Sequence, residues 1–197
     1  MQAPPPAALA ARDLACRRGD RLLFRGLSLA MLPGEAMQVV GANGTGKTSL
    51  LRILAGLLRP YAGTVERGGE VALLDGRLPL DEDLPLGRAL AFWERIDGRG
   101  YGAEARARWG LTALDEVPVR LLSTGQRKRA GVLQANARGA PIWLLDEPLN
   151  GLDSAAAEGV EQAVAAFCAG GGAAVIASHQ PFTLAGMRRI DLADYAP

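Results

Sequence analysis

The amino-acid sequence predicts an α/β fold whose central sheet is mainly parallel and flanked by helices. Two observations carry this prediction: short apolar runs alternate with segments of helical spacing, and a glycine-rich loop separates one such run from the next helix. Parallel neighbours in a sheet need a crossover connection, and a helix is the usual one. We therefore expect strands over 35–40, 65–74, 142–145 and 173–177, and helices over 47–58, 86–94, 103–110, 125–137 and 154–168.

An antiparallel β part is expected to precede this sheet. Residues 7–32 alternate between apolar and polar side chains, and the pair Gly19-Asp20 near their middle is typical of a turn. The alternation therefore predicts two strands joined at that turn. No further element is predicted after Ala177.

The composition favours one soluble domain over the whole chain. A chain of 197 residues, 49% of them hydrophobic, can bury one core, and its net charge of +1 gives no reason to expect a nucleic-acid partner. Two distant cysteines, Cys16 and Cys168, form no disulfide framework and favour a reducing compartment. The Pro/Ala-rich N-terminus lacks the charged start of a secretory signal. Three glycines at 170–172 interrupt the apolar stretch 162–178, so no membrane span is predicted.

The glycine-rich segment Gly41–Thr48 fits the phosphate-loop pattern G-x-x-x-x-G-K-[ST] and lies between a predicted strand and a predicted helix. Small residues let backbone N–H groups turn towards a phosphate, and the helix that follows adds its free N–H groups and its dipole. Lys47 can reach the outer phosphates of ATP, and the Thr48 hydroxyl can ligate Mg²⁺. The candidate nucleotide-binding residues here are Gly41, Asn43, Gly44, Thr45, Gly46, Lys47, Thr48 and Ser49.

Two acidic residues follow the apolar run Ile142–Leu145. Ligands of open α/β sheets bind beyond the carboxyl ends of the strands, which is where Asp146 and Glu147 are expected. Asp146 is a candidate Mg²⁺ ligand together with Thr48, and Glu147 is the candidate base that polarises the attacking water.

A third motif narrows the class. The segment Leu122–Gln126 (LSTGQ) resembles the LSGGQ signature of the ABC (ATP-binding cassette) ATPases, with Thr124 in place of the first glycine. Residues 149–153 (LNGLD) resemble the D-loop of that family, and His179 falls where the family has its switch histidine. The four motifs follow one another in the order of the family and span most of the chain.

The resemblance implies an ABC-type P-loop NTPase that binds ATP and Mg²⁺ and works as a homodimer. In the family, Ser123, Gly125 and Gln126 of one subunit would contact the ATP held by the phosphate loop of the other. Glu147 and His179 would be catalytic, with His179 contacting the γ-phosphate. The resemblance also implies a single domain over 1–197, in which a short helical subdomain covers about 84–138.

Three shorter segments resemble the ATP-binding subunit of the bacterial cytochrome c maturation (haem exporter) system: LACRRGDRLLFRGLSL, ALAFW and HQPF. This implies a multi-spanning membrane partner, a place on the cytoplasmic face of the inner membrane, and a role in haem delivery to apocytochromes c. Whether haem or a haem-loaded chaperone is released stays open. The alternatives are a subunit of another transporter, an ABC ATPase without a membrane partner, and a module that binds ATP without hydrolysing it.

Some positions depart from the family pattern. Arg17 and Arg18 lie where an aromatic residue usually stacks on adenine, and no glutamine stands near Gly76 and Arg77, where the family has its Q-loop. Asp75 or Arg77 is the candidate replacement for that glutamine. The triplet 127–129 (RKR) predicts a solvated face or local ion pairs, although only Lys47 and Lys128 among the 22 basic residues are lysines.

Overall fold

The computed structural model describes residues 8–76, 79–98 and 100–197, and it contains two β-sheets. The first is antiparallel, with the strand order β2-β1-β4. The alternating segment 7–32 forms its first two strands, as predicted, and the turn between them contains Gly19 with φ 58°. These strands are β1 (Leu9–Arg18), β2 (Arg21–Met31) and β4 (Ala62–Arg67).

The second sheet has five parallel strands in the order β5-β6-β7-β3-β8, which confirms the predicted α/β class. Strands β3 and β7 are buried at every position, which explains why their sequences are continuous apolar runs instead of alternating ones. The strands are β3 (Ala36–Val40), β5 (Val71–Leu74), β6 (Ile142–Asp146), β7 (Ala173–Ala177) and β8 (Arg188–Asp191).

Helices cover both faces of the parallel sheet. On one face α1 and the antiparallel sheet share an apolar cluster with Ile142 and Leu144, and on the other face the remaining helices contribute to a cluster with Trp143 and Leu145. The helices are α1 (Lys47–Ala55), α2 (Leu86–Asp97), α3 (Ala103–Arg108), α4 (Thr124–Arg138) and α5 (Ser154–Ala169). Three short 3₁₀ helices are Thr112–Leu114, Val119–Leu121 and Leu192–Tyr195.

Several boundaries differ from the predictions. Segment 65–74 is two strands in different sheets, because the chain leaves β4 at Gly68, whose N–H donates to the Ala8 carbonyl at 2.8 Å. Helix α1 ends at Ala55 instead of residue 58, because Gly56 adopts φ 81° and caps it.

The expectation of no element after Ala177 was wrong. Strand β8 pairs with β3 at the edge of the sheet, where its mostly polar sequence gave no apolar run to recognise. Within the described residues no helix has the length and apolar character needed to cross a membrane.

Candidate functional site

The phosphate loop joins the end of β3 to the start of α1. Gly41, Gly44 and Gly46 have φ values of 147°, 80° and 110°, which residues with a side chain rarely adopt. A Cβ on Gly46 would also lie 3.1 Å from the ring of Phe24. The loop is further closed by the Thr45 hydroxyl, which donates to the Ala42 carbonyl at 2.8 Å. The backbone conformation therefore requires glycine at these three positions, and at Gly46 the space does as well. The loop leads directly into the N-terminus of α1.

Lys47, the first residue of α1, lies inside this loop with only 7% of its surface exposed. Its ammonium donates to the carbonyl of Gly41 at 2.7 Å and to that of Ala42 at 3.3 Å. It also lies 3.9 Å from a carboxylate oxygen of Glu147. The positive charge is thus fixed at the centre of the loop, where it can meet the phosphates of a nucleotide.

Thr48 and Asp146 meet at the carboxyl end of β6. The Thr48 hydroxyl donates to Asp146 Oδ2 at 2.6 Å, whereas Asp146 Oδ1 is buried and has no hydrogen-bond partner. Burial raises the pKa of Asp146, the hydrogen bond from Thr48 opposes this, and the negative charges of Glu147 and Asp75 add to the rise. A hydroxyl beside a half-buried carboxylate with one buried, unpartnered oxygen fits a divalent cation such as Mg²⁺, whose charge would offset the burial of the carboxylate.

Glu147 and His179 lie side by side beyond β6 and β7. Glu147 Oε2 is 2.9 Å from His179 Nδ1, and the backbone N–H of His179 is 3.4 Å from the same oxygen. The backbone of Glu147 has φ 47°, an unusual value for a residue with a side chain, and its N–H donates to the Ala177 carbonyl at 2.7 Å. The two expected catalytic groups therefore form one unit at adjacent strand ends.

A cavity of about 270 Å³ brings together Lys47, Thr48, Asp146 and Glu147, whereas His179, beside Glu147, does not line it. Gly41 and Thr45 shape the loop without lining the cavity. Among the described residues that do line it are Leu23, Asn43, Gly44, Gly46, Lys47, Thr48, Ser49, Asp146 and Glu147.

The signature residues lie elsewhere and do not line this cavity. Ser123 caps α4: its hydroxyl accepts from the N–H of Gln126 at 3.2 Å, and the Gln126 side chain accepts from the N–H of Ser123 at 2.8 Å. Ser123 and Thr124 are exposed, and a Cβ on Gly125 would lie 3.2 Å from Leu152, so this end of α4 rests on the D-loop segment.

Several residues near the site were not singled out from the sequence. Leu23 on β2 lines the cavity, and the guanidinium of Arg17 stacks over the ring of Tyr61 at 5.1 Å, which places an aromatic side chain beside the expected adenine position. Asp75 forms an ion pair with Arg52 of α1 at 2.9 Å. Its expected role in place of the Q-loop glutamine stays a prediction, and Arg77, the other candidate, lies outside the described residues.

The triplet 127–129 is not uniformly solvated. Arg127 lies 3.4 Å from a carboxylate oxygen of Glu82, which agrees with the expected ion pairs, but the Lys128 ammonium donates to the backbone carbonyl of Glu147. The scarcity of lysine in the sequence was the one signal that could have separated Lys128 from its neighbours.

Known proteins resemble this chain over most of its length. A model of the ABC transporter family matches residues 24–150. The cytochrome c biogenesis ATP-binding export protein CcmA of Novosphingobium aromaticivorans is 58% identical over 189 residues, which cover 96% of this chain and 97% of that protein. The protein of the same name from Zymomonas mobilis is 47% identical over 190 residues, covering 96% of this chain and 86% of that one.

Solved structures show the same fold. The ATP-binding subunit of an ABC transporter matches with a TM-score of 0.78 at 20% identity, over 87% of this chain and 79% of that one. An ATP-binding cassette solved as a post-hydrolysis dimer with ADP and phosphate matches with a TM-score of 0.73 at 20% identity, over 87% and 88% of the two chains. With the phosphate loop, the paired Thr48 and Asp146, and these relatives taken together, the chain belongs to the ABC transporter ATPases and, within them, to the family of cytochrome c biogenesis ATP-binding export proteins.

Proposed function

We propose that this chain hydrolyses Mg²⁺-ATP as one half of a homodimer, and that the cycle drives a step of haem delivery in cytochrome c biogenesis. The observation that carries the catalytic part is the convergence of Lys47, Thr48, Asp146 and Glu147 on one cavity. A cation, a hydroxyl–carboxylate pair and a carboxylate base are the groups that phosphoryl transfer to water needs.

In this mechanism the loop N–H groups and Lys47 bind the outer phosphates of ATP. Thr48 and Asp146 would hold the Mg²⁺, which would neutralise part of the phosphate charge when bound. Glu147 accepts a proton from the attacking water as the water oxygen bonds to the γ-phosphorus, the bond from the γ-phosphorus to the bridging oxygen breaks, and ADP and phosphate leave. His179, 2.9 Å from Glu147, orients the carboxylate and contacts the phosphate that is transferred.

The dimer is supported by the position of the signature. Ser123 and Thr124 are exposed at the N-terminus of α4, yet they do not line the cavity formed by their own phosphate loop. A helix N-terminus with a hydroxyl and free N–H groups is suited to bind phosphate. A second copy in head-to-tail arrangement would bring Ser123, Gly125 and Gln126 to the ATP of its partner and complete both sites.

The cellular role is supported by the names of the relatives, which describe ATP-binding export in cytochrome c biogenesis. We therefore propose that the dimer binds a multi-spanning membrane subunit on the cytoplasmic face of the inner membrane. An ABC ATPase for another transporter, or one without a membrane partner, is the alternative to be excluded.

The test is complementation of a Novosphingobium aromaticivorans strain that lacks its own relative. We expect the unaltered chain to restore the c-type cytochrome bands on a haem-stained gel, and the Lys47→Ala variant, expressed to the same level, to leave them absent. Bands restored by both chains would show that nucleotide binding is not needed for this role. Bands restored by neither chain would contradict the proposed role in cytochrome c biogenesis without contradicting the proposed ATPase site.

A further inference from the structure

The backbone of Glu147 is held in a conformation that its sequence disfavours. Its φ of 47° lies in the left-handed region, and the residue that follows is Pro148, which further restricts the conformation of its neighbour. Because proline has no N–H, the carbonyl is the only hydrogen-bonding group of the peptide between Glu147 and Pro148. Whatever binds that carbonyl therefore sets the orientation of this peptide and, with it, the direction of the Glu147 side chain.

Lys128 binds that carbonyl. Its ammonium donates to the oxygen of Glu147 from the second turn of α4, and it is one of only two lysines in the chain. Among the described residues, the backbone N–H of Asn150 also donates to this oxygen, at 3.3 Å. Burial lowers the pKa of Lys128, whereas the negative charges of Glu147 and Asp146 act to keep the ammonium protonated.

Helix α4 touches the segment after Glu147 at a second point. A Cβ on Gly125 would lie 3.3 Å from the carbonyl of Gly151, and Thr124 packs on Gly151 from the same turn. Helix α4 thus contacts both ends of the segment 147–152. Its first turn meets Gly151, and the contact from Lys128 reaches Glu147 itself.

We propose that Lys128 is a positioning residue, which fixes the Glu147–Pro148 peptide so that the Glu147 carboxylate stays directed at the cavity. The inference rests on the proposed role of Glu147 as the base. In the described part of the chain no hydrogen bond or ion pair joins Lys128 to the Glu147 carboxylate or to the phosphate loop, so its loss changes the rate of hydrolysis and leaves nucleotide binding intact. Through this contact the signature helix of a chain adjusts the base of its own site.

The experiment measures steady-state ATP hydrolysis and the Kd of a fluorescent ATP analogue for the purified full chain. Lys128→Met removes the donor and keeps an unbranched apolar stem, whereas Lys128→Arg keeps a cationic donor. Arg188→Met is the matched control, because the Arg188 guanidinium also donates to a backbone carbonyl, that of Ala30 at 2.8 Å, but on the edge strand β8. Lys128→Gln, a neutral donor, is added so that the comparison does not depend on one variant folding.

We expect Lys128→Met to lower kcat by about 10- to 100-fold, the range for a small misplacement of a catalytic group, with KM and Kd changed by less than about 3-fold. Lys128→Arg restores most of the rate, Lys128→Gln gives an intermediate rate, and Arg188→Met matches the unaltered chain. A kcat for Lys128→Met equal to that of Arg188→Met would overturn the proposal.

A rate loss that comes with an equal loss of affinity, and that arginine does not rescue, would show a structural role only and would also overturn it. Glu147→Gln separates this proposal from the one on which it rests. Turnover retained by Glu147→Gln removes Glu147 as the base, whereas an inactive Glu147→Gln beside a fully active Lys128→Met refutes the role of Lys128 alone.

Discussion

The N-termini of α1 and α4 both carry groups suited to bind phosphate, but they differ in how many other site groups their own chain places beside them. At α1, the phosphate loop, Lys47 and the acids after β6 line one cavity. At α4, Ser123 and Gln126 satisfy each other in a capping box, and neither residue lines that cavity. The first end is thus surrounded by the candidate site groups of its own chain, and the second would meet a phosphate only in the proposed head-to-tail dimer.

Glycine has a different purpose at the two ends. Gly46 adopts φ 110° directly before α1 and packs on Phe24, so both its conformation and its space exclude a side chain. At α4 the restriction falls on Gly125, where a Cβ would lie 3.2 Å from Leu152. Thr124 is exposed as the first residue of the helix, which explains why this signature accepts threonine where its family has glycine.

The largest expected effect comes from removing the charge at the α1 end. Lys47→Ala leaves the loop without its buried ammonium, and truncating a buried charge partner costs enough to weaken nucleotide binding by about 100-fold or more. Titration calorimetry with ATP and ADP measures this. Lys47→Arg is the matched control that keeps the charge, and it should regain only part of the affinity because a planar guanidinium fits the loop poorly. Unchanged affinity of Lys47→Ala would contradict the role of the loop.

A smaller and different effect is expected at the α4 end. Ser123→Asp keeps a good helix cap, so the midpoint of thermal unfolding should change little, but it sets a negative charge where the phosphate of the partner site would lie. We expect at least about a 10-fold loss of ATP hydrolysis and of ATP-driven dimerisation, with ATP affinity of the monomer unchanged.

The matched variant for this end is Ser123→Asn, which caps the helix without charge and should retain most of the activity. Dimerisation is followed by light scattering in the presence of ATP with Glu147→Gln as the background. If Ser123→Asp dimerises and turns over like Ser123→Asn, the signature does not meet phosphate and the comparison between the two helix ends fails.

The same two regions show what could be predicted from sequence. The phosphate loop and the strand and helix that flank it were predicted because every constraint on them is local: glycine spacing, one Lys-Thr pair and apolar runs. The contact of Lys128 with Glu147 joins residues 19 apart through a backbone carbonyl, and no side-chain pattern records such a contact. Strand β8 was missed for a related reason, since its pairing with β3 depends on position in the sheet and not on its polar sequence.

The smallest expected effect is on folding stability, which the partly buried carboxylate of Asp146 lowers when no cation is bound. The folded-state pKa of Asp146 is raised from 3.8, chiefly by burial. Stability is therefore lost as pH rises from 3.8 through the folded-state pKa, because the folded chain then gives up the proton less readily than the unfolded chain. At lower pH, where both states are protonated, this loss is absent. Asp146→Asn should therefore raise the unfolding midpoint of the nucleotide-free chain at pH 7 by about 2–4 °C, roughly 1 kcal/mol for this size, and by less near pH 4.

Calorimetry at the two pH values checks this, with Asp153→Asn as the control, because Asn replaces Asp well at the N-cap of α5. Mg²⁺ should add to the stabilisation by ADP in the unaltered chain and not in Asp146→Asn. A lower midpoint for Asp146→Asn at pH 7 would mean that the carboxylate stabilises the apo fold, and the buried, unpartnered Oδ1 would then not mark a cation site. The α1 end would in that case be built for the nucleotide alone, and its difference from the α4 end would lie in Lys47 and Glu147.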